Sequence, residues 1–500
     1  MKRIQLCDLT LRDGQQSLLA TRMTTDQALS VLPDILSAGF TELELWGGAT
    51  IDAPLRFLGE NPWDRLEKYR AMCMGHAKIR TLIRGQNLFA YMPFADNLVV
   101  AFSKAAIESG VGVMRMFDAL NDSRNMMISL LAAKAFGATA EMCFSYTTSP
   151  VHSPQTFANL AKDLAAMGAD IITIKDMAGL LTPRDAFELI TDIKRDVNMP
   201  VTVHSHCTCG YATTNLVAGM LAGAERFDVA IDTMAGGTSH PPATLVATFA
   251  EMLDLEHGLD LSYVHKASRK LREIRKSLAE FDKWSDSVPE PIPYPLPPTI
   301  TDRMNVILSL MKDHEFEKGR DEMVSLMSSL GYSEPDATQL KSQVPGGMLS
   351  NLRTQLSKVG QLEKLPLILE EVQRVRKDTG YPPLVTPTSQ IVGAQASFNV
   401  ETGSRYKMCS REFKDMISGR YGKPGEIDEK FITEVTKSTD RYDQRSGHYV
   451  KSAPLTETDG LNPPAFIHNH RDLLLYLMLP GPAKQFFSAD RPGNDDGRVH

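Results

Sequence analysis

His204 and His206 stand two residues apart in the run PVTVHSH (200–206). The β-branched residues before them predict a strand, and alternation along a strand puts positions i and i+2 on one face, so both imidazoles can reach one point. Two histidines and a carboxylate form a common ligand set for a divalent ion such as zinc, cobalt or manganese. The alternative is a pair of core histidines satisfied by hydrogen bonds. A His/Cys zinc cluster drawn from HSHCTC is a further alternative, although Cys207 falls on the opposite face and Cys209 one step past the strand. Lys175 is the second unusual residue. It ends the apolar run ADIITIK (169–175), where a charged ammonium is costly to bury. Either it pairs with a carboxylate such as Asp13 or Asp176, or it is neutral, because desolvation depresses a lysine pKa. A neutral amine can add CO2 to form a carbamate, an anionic oxygen donor suited to a metal.

Both sites lie at the end of a strand-like run, and eight such runs occupy the first 240 residues: 3–9, 41–46, 79–84, 113–118, 139–146, 169–175, 200–206 and 226–233. Amphipathic segments such as 24–38 and 155–167 separate them, with Gly39, Gly137 and Gly168 as helix C-caps. Eight β-then-α repeats imply parallel strands with right-handed crossovers and a closed (β/α)8 TIM barrel. An open doubly wound sheet is the alternative, but no Gly-rich dinucleotide loop follows the first run. Reactive side chains of such a barrel sit at the C-terminal ends of its strands. Those ends carry Asp8, Arg12, Asp13 and Gln16 in DLTLRDGQQ, Arg84 in RGQN, Asp118, the pair Lys175 and Asp176, and the pair His204 and His206.

Residues 1–287 are therefore expected to form the barrel, closed by a helical pattern over 263–283. Six prolines in 288–299 mark an extended linker. A mostly helical domain follows over 300–440, interrupted by VPGGM at 344 and YPPLVTPT at 381. Residues 441–500 read as a polar extension with one short helix, Asp472 to Met478, and a disordered last dozen. The chain is 42% hydrophobic and 23% charged, ordinary for a globular protein. Its net charge of −7 gives no support to a nucleic-acid partner. No apolar run reaches the roughly 18 residues that span a bilayer, and no signal peptide is expected. Six scattered cysteines suit buried free thiols, at Cys7 and Cys143 above all, and a cytoplasmic setting.

Ten stretches give the chain a family likeness: LRDGQQSLLATRM (11–23), ELWGGATID (44–52), RFLGENPWDRL (56–66), LIRGQNLFAY (82–91), RMFDALND (115–122), SYTTSPVHS (145–153), IKDMAGLLTP (174–183), HSHCTCG (204–210), QVPGGMLSNLRTQL (343–356) and PLVTPTSQIVGAQA (383–396). It resembles the carboxyltransferase domain shared by pyruvate carboxylase, the oxaloacetate decarboxylase alpha subunit and the central transcarboxylase subunit. The opening DLTLRDGQQ alone is less specific, since metal-dependent aldol-type lyases and acyl-CoA condensing enzymes share it; these are the alternative function.

The resemblance implies a divalent metal, zinc first and cobalt or manganese next, held by Asp13, His204, His206 and a carbamylated Lys175. It implies that Gln16 and Arg84 hold a 2-oxo acid, pyruvate or oxaloacetate, and that Arg12 braces the same mouth. Thr208 matches a proton shuttle between that acid and biotin; the alternative is a hydroxyl capping the next helix. The stretch 300–440 looks like a helical funnel over the barrel, and a homodimer is implied. Two departures stand out. No Ala-Met-Lys-Met-type biotinylation turn is present, Lys407-Met408 being the nearest string, nor is a biotin carboxylase domain. Biotin is therefore expected in trans on a biotin carboxyl carrier protein, with biotin carboxylase, acyl-CoA carboxyltransferase or membrane decarboxylase subunits as further partners. Cys207 and Cys209 also stand where relatives usually carry other small or polar residues.

Overall fold

The computed structural model describes residues 2–336, 343–344, 346–358, 360–456 and 462–488. Eight parallel strands close a barrel in sequence order: β1 (Gln5–Asp8), β2 (Glu42–Gly47), β3 (Lys78–Ile83), β4 (Val111–Phe117), β5 (Thr139–Ser145), β6 (Ile171–Asp176), β7 (Val201–Ser205) and β8 (Arg226–Val229). Helices such as Thr25–Ser37 and Pro154–Met167 return the chain outside the barrel, the second ended by Gly168 in a left-handed conformation.

The two faces of these strands differ in kind. Leu43 and Leu45 of β2, Met114 and Met116 of β4, and Val201 and Val203 of β7 join the apolar cluster shared with the surrounding helices. The alternate residues point inward, where barrels usually stack branched apolar side chains. Here they are Glu42 and Glu44, Arg80, Arg115, Glu141, Thr173 and Lys175, His204, and Arg226 with Asp228, all buried. Arg80 donates to Asp228 at 2.9 Å and Arg115 to the same carboxylate at 2.6 Å, contacts between non-neighbouring strands that only the barrel interior permits.

The helix at the end of the barrel segment runs Leu261–Ser277, shorter than the 263–283 pattern at its end, because Asp282 turns back to accept Arg275 Nε at 2.6 Å. No helix or strand forms from Val288 to Pro297, but Ile292 is buried against the barrel cluster. Helices Pro298–Lys312 and Phe316–Ser329 add apolar residues to that same cluster, whereas a second cluster runs from Val344 to Val435. Beyond residue 440 the chain comes back to the barrel. Ser446 N donates to Asn125 Oδ1 at 2.7 Å, and Asn97 Nδ2 donates to the Ala453 carbonyl at 2.7 Å. Helix His470–Met478 covers the expected 472–478, and a second helix, Pro480–Ser488, follows with Pro480 in its first turn, where proline is tolerated. The last dozen residues lie outside the described part. Among the described residues no helix is long and apolar enough to cross a membrane.

Candidate metal centre at the barrel mouth

β7 delivers His204, and one further extended residue carries the chain to His206. Asp13 sits in a buried turn, Thr10–Gly14, just after β1. The sequence reading did not single out His240, on the loop after β8, yet its ligand atom lies within 4.8 Å of those of the other three. Nε2 of His204, His206 and His240 lie 3.7, 3.7 and 3.2 Å from Asp13 Oδ2. Each ring turns its other nitrogen to an oxygen: Nδ1 of His204 to Asp228 at 2.8 Å, of His206 to the Thr238 carbonyl at 2.7 Å, and of His240 to the Ser205 carbonyl at 3.4 Å. Carbonyl and carboxylate oxygens only accept, so Nδ1 carries the proton and the three Nε2 lone pairs converge. Burial pushes the His206 pKa down to about 3 and that of His204 well below the ordinary histidine range. Burial alone would raise Asp13, but the Arg12 guanidinium 2.9 Å away outweighs it and holds the carboxylate well below its usual range. Three converging imidazole nitrogens and an ionised carboxylate suit a borderline divalent ion.

Lys175 is buried beside this group, with Nζ donating to His204 Nε2 at 3.0 Å. Among the described residues no carboxylate lies within ion-pair distance of it: Asp13 is occupied by Arg12, and Asp176 accepts Leu180 N, Leu181 N and Ser205 Oγ. Burial, reinforced by Arg115, lowers the Lys175 pKa. Arg12 is pinned by Glu44, with Nε donating at 2.6 Å, and its Nη1 reaches Gln16 Oε1 at 3.3 Å. Gln16 Oε1 also accepts Ala49 N at 3.2 Å, which fixes the amide at the mouth. Arg84 donates to the Phe89 and Ala90 carbonyls and, among the described residues, has no carboxylate partner. Burial lowers its pKa to about 10. It lines a cavity with Asn87, Asp118, Pro387, Thr388 and Tyr421, so the helical region contributes to the same recess.

Thr208 is buried in a short turn, Cys207–Cys209. The next helix, Ala212–Leu221, takes no side-chain cap, and the Thr208 hydroxyl has no hydrogen-bond partner among the described residues. Its backbone is held instead, the Thr208 carbonyl accepting Asp336 N at 2.9 Å. Cys207 and Cys209 are free, burial pushes both thiols up to about 12, and neither sulfur joins the group of converging ligand atoms. Lys407-Met408 falls in the helical region, with Met408 exposed.

Behind the centre, four arginines (Arg12, Arg80, Arg115 and Arg226) interlock with five carboxylates (Asp13, Glu42, Glu44, Glu141 and Asp228). Asp228 ties this network to His204 and Arg12 ties it to Asp13. The sequence carried a signal for it, Glu42 and Glu44 alternating with leucines in ELELW (42–46), but the partners lie on other strands.

Residues 3–271 match the family described as HMGL-like, and residues 340–499 match the family described as a conserved carboxylase domain. The chain is 37% identical over 494 residues to a pyruvate carboxylase subunit of Methanocaldococcus jannaschii, covering 97% of this chain and 78% of that protein. It is 35% identical over 503 residues to the methylmalonyl-CoA carboxyltransferase 5S subunit of Propionibacterium freudenreichii, covering 97% and 88%. The solved carboxyl transferase domain of Rhizobium etli pyruvate carboxylase with pyruvate superposes with a TM-score of 0.81 at 27% identity, over 97% of this chain and 77% of that one. Barrel, helical region and both family matches agree, and the chain belongs to the biotin-dependent carboxyltransferases of the pyruvate carboxylase and transcarboxylase type.

Proposed function

We propose that this chain moves a carboxyl group between biotin carried by a separate protein and pyruvate, yielding oxaloacetate or running the reverse, at a divalent metal centre in the barrel mouth. The observation that carries the reading is the convergence of three Nε2 lone pairs on Asp13 beside the buried amine of Lys175. Asp13, His204 and His206 would hold the ion, zinc by preference and cobalt or manganese otherwise, with Lys175 as a carbamate and His240 within reach of the same point. When bound, the ion acts as a Lewis acid toward the oxygen of an enolate.

Charge balance supports the carbamate. The four arginines and five carboxylates around the centre leave one negative charge over. A divalent ion with a Lys175 carbamate brings the buried cluster to neutrality, whereas an ammonium there would leave it at plus two, costly in a dry interior.

Arg84, recessed without a carboxylate of its own, is suited to the carboxylate of a 2-oxo acid, and Gln16, fixed by Arg12, to its oxygen atoms. Arg12 is then a positioning residue, since its donors are taken by Glu44, Asp13 and Gln16. Thr208, whose hydroxyl has no partner among the described residues, accepts a methyl proton of pyruvate at Oγ as it passes its own to the ureido nitrogen of carboxybiotin. The N–CO2 bond breaks as that nitrogen is protonated, and the methyl carbon, now part of an enolate, forms the new C–C bond. The region 300–440 would act as a funnel above this recess, with the barrel taken as 1–287, the linker as 288–299 and 441–500 as an extension. A cytoplasmic homodimer, working with a biotin carrier and either a biotin carboxylase or an acyl-CoA carboxyltransferase, completes the reading.

The test is oxaloacetate decarboxylation by metal-loaded protein with and without free biotin. Biotin should stimulate it, and a His204→Ala/His206→Ala double variant should lose both metal and activity. Biotin-independent cleavage or condensation of an acyl-CoA, with no biotin effect, would overturn the proposal in favour of an aldol-type lyase.

A further inference from the structure

The loop after β8, residues 232–242, does more than carry His240. Its Thr238 carbonyl accepts the Nδ1 proton of His206, and its Ser239 carbonyl accepts Cys207 N at 2.8 Å, one residue before Thr208. The loop thus holds two of the three imidazoles and the start of the Thr208 turn. Its own shape is imposed from outside the barrel strands. Gly236 and Gly237 have φ of +75° and +55° and lie bare beneath two aromatic rings. A Cβ on Gly236 would meet Tyr332 Cδ1 at 2.5 Å, and one on Gly237 would meet Trp284 Nε1 at 2.7 Å, so each ring rests directly on backbone. The Tyr332 hydroxyl donates to the Asp232 carbonyl at 2.9 Å. Arg275 joins the second clamp, donating to the Thr233 carbonyl at 2.7 Å and to Asp282, whose other oxygen accepts Trp284 N at 2.8 Å.

We propose that Tyr332 and Trp284 are positioning residues of the metal centre: their rings press the Gly236–Gly237 turn into the one conformation that aims His206 and His240 at the ion. This rests on the metal reading of the site, and it connects the centre to residues packed on the loop from beyond the last barrel strand. Groups that orient a ligating histidine typically change metal affinity 10–100-fold when lost. Removing a ring from above two glycines frees the most permissive backbone in the chain, so the loop has other conformations to occupy.

The experiment measures Co2+ affinity of the full chain by chelator competition, together with the visible absorption of bound Co2+. Tyr332→Ala and Trp284→Ala are each expected to weaken binding about tenfold or more and to alter the Co2+ spectrum. Tyr332→Phe, which keeps the ring, should stay within about threefold of wild type because the clamp survives. Phe316→Ala is the control. Phe316 packs the same helical segment on the barrel, against Phe187 and His314, away from the loop. Equal weakening in Phe316→Ala would show a general loss of packing and overturn the inference. So would a Tyr332→Ala protein that binds Co2+ like wild type with an unchanged spectrum; Tyr332→Leu, which fills the space without a flat ring, replaces it if the alanine variant does not fold. Wild-type protein that binds no Co2+ refutes the metal reading itself, a different result from normal wild-type binding with unaffected variants.

Discussion

Replacing Glu141 by glutamine probes the ionic interior from a position that contacts no metal-site residue. Its carboxylate accepts Arg115 Nε at 2.9 Å, Arg115 Nη2 at 2.6 Å and Thr173 Oγ1 at 2.5 Å, and Arg80 Nε lies 3.1 Å from its second oxygen. Burial alone would raise the pKa of this group, but Arg115, Arg80 and Arg226 outweigh it and hold the value at about 2. Against an ordinary glutamate near 4.3, at about 1.4 kcal/mol per tenfold change in acidity, the ionised form contributes about 3 kcal/mol at neutral pH. The sign follows from the depressed folded value. The unfolded chain binds the proton more tightly, so the contribution is complete above about pH 4.5 and is lost as pH falls toward 2. For a domain somewhat larger than 250 residues about 3 kcal/mol lowers the melting temperature by roughly 5 °C. Scanning calorimetry of wild type and Glu141→Gln across pH is the assay. The gap between them should be constant from neutrality to about pH 5.5 and shrink below about pH 4.5. A gap under about 2 °C at pH 7, or one that widens on acidification, would falsify the claim that this charge is held by the arginines.

Two further outcomes bear on the chemistry. With 13C-labelled CO2, metal-loaded protein should show a carbamate carbonyl resonance that Lys175→Arg lacks, and Lys175→Ala should bind metal more weakly; no such resonance in metal-loaded wild type removes the carbamate. Thr208→Ala should lower carboxyl transfer by roughly 100-fold or more while metal and pyruvate binding persist, because the hydroxyl has no hydrogen-bond partner among the described residues. Thr208→Ser should retain much of the activity, and an alanine variant within a few-fold of wild type takes Thr208 out of the proton path.

The sequence by itself determined what is local. Period-two and longer helical patterns are properties of neighbouring residues, and eight alternations of them allow few arrangements other than a closed barrel. Strand ends then follow, and with them the common location of Asp13, Lys175, His204 and His206. What the tertiary structure decided is which distant groups meet. Glu44, Arg80, Arg115 and Asp228 each look too costly to bury until barrel closure brings Arg80 to an aspartate 148 residues away. Lys175 lies beside His204 and not beside a carboxylate because Arg12 and the loop after β6 already hold Asp13 and Asp176. His240 had no strand-end position to mark it: its place depends on a glycine turn shaped by Tyr332 and Trp284, contacts that no spacing within the loop encodes. The helix Pro480–Ser488 was hidden by its prolines, and it forms where its apolar face, Ala483 included, docks on the barrel cluster.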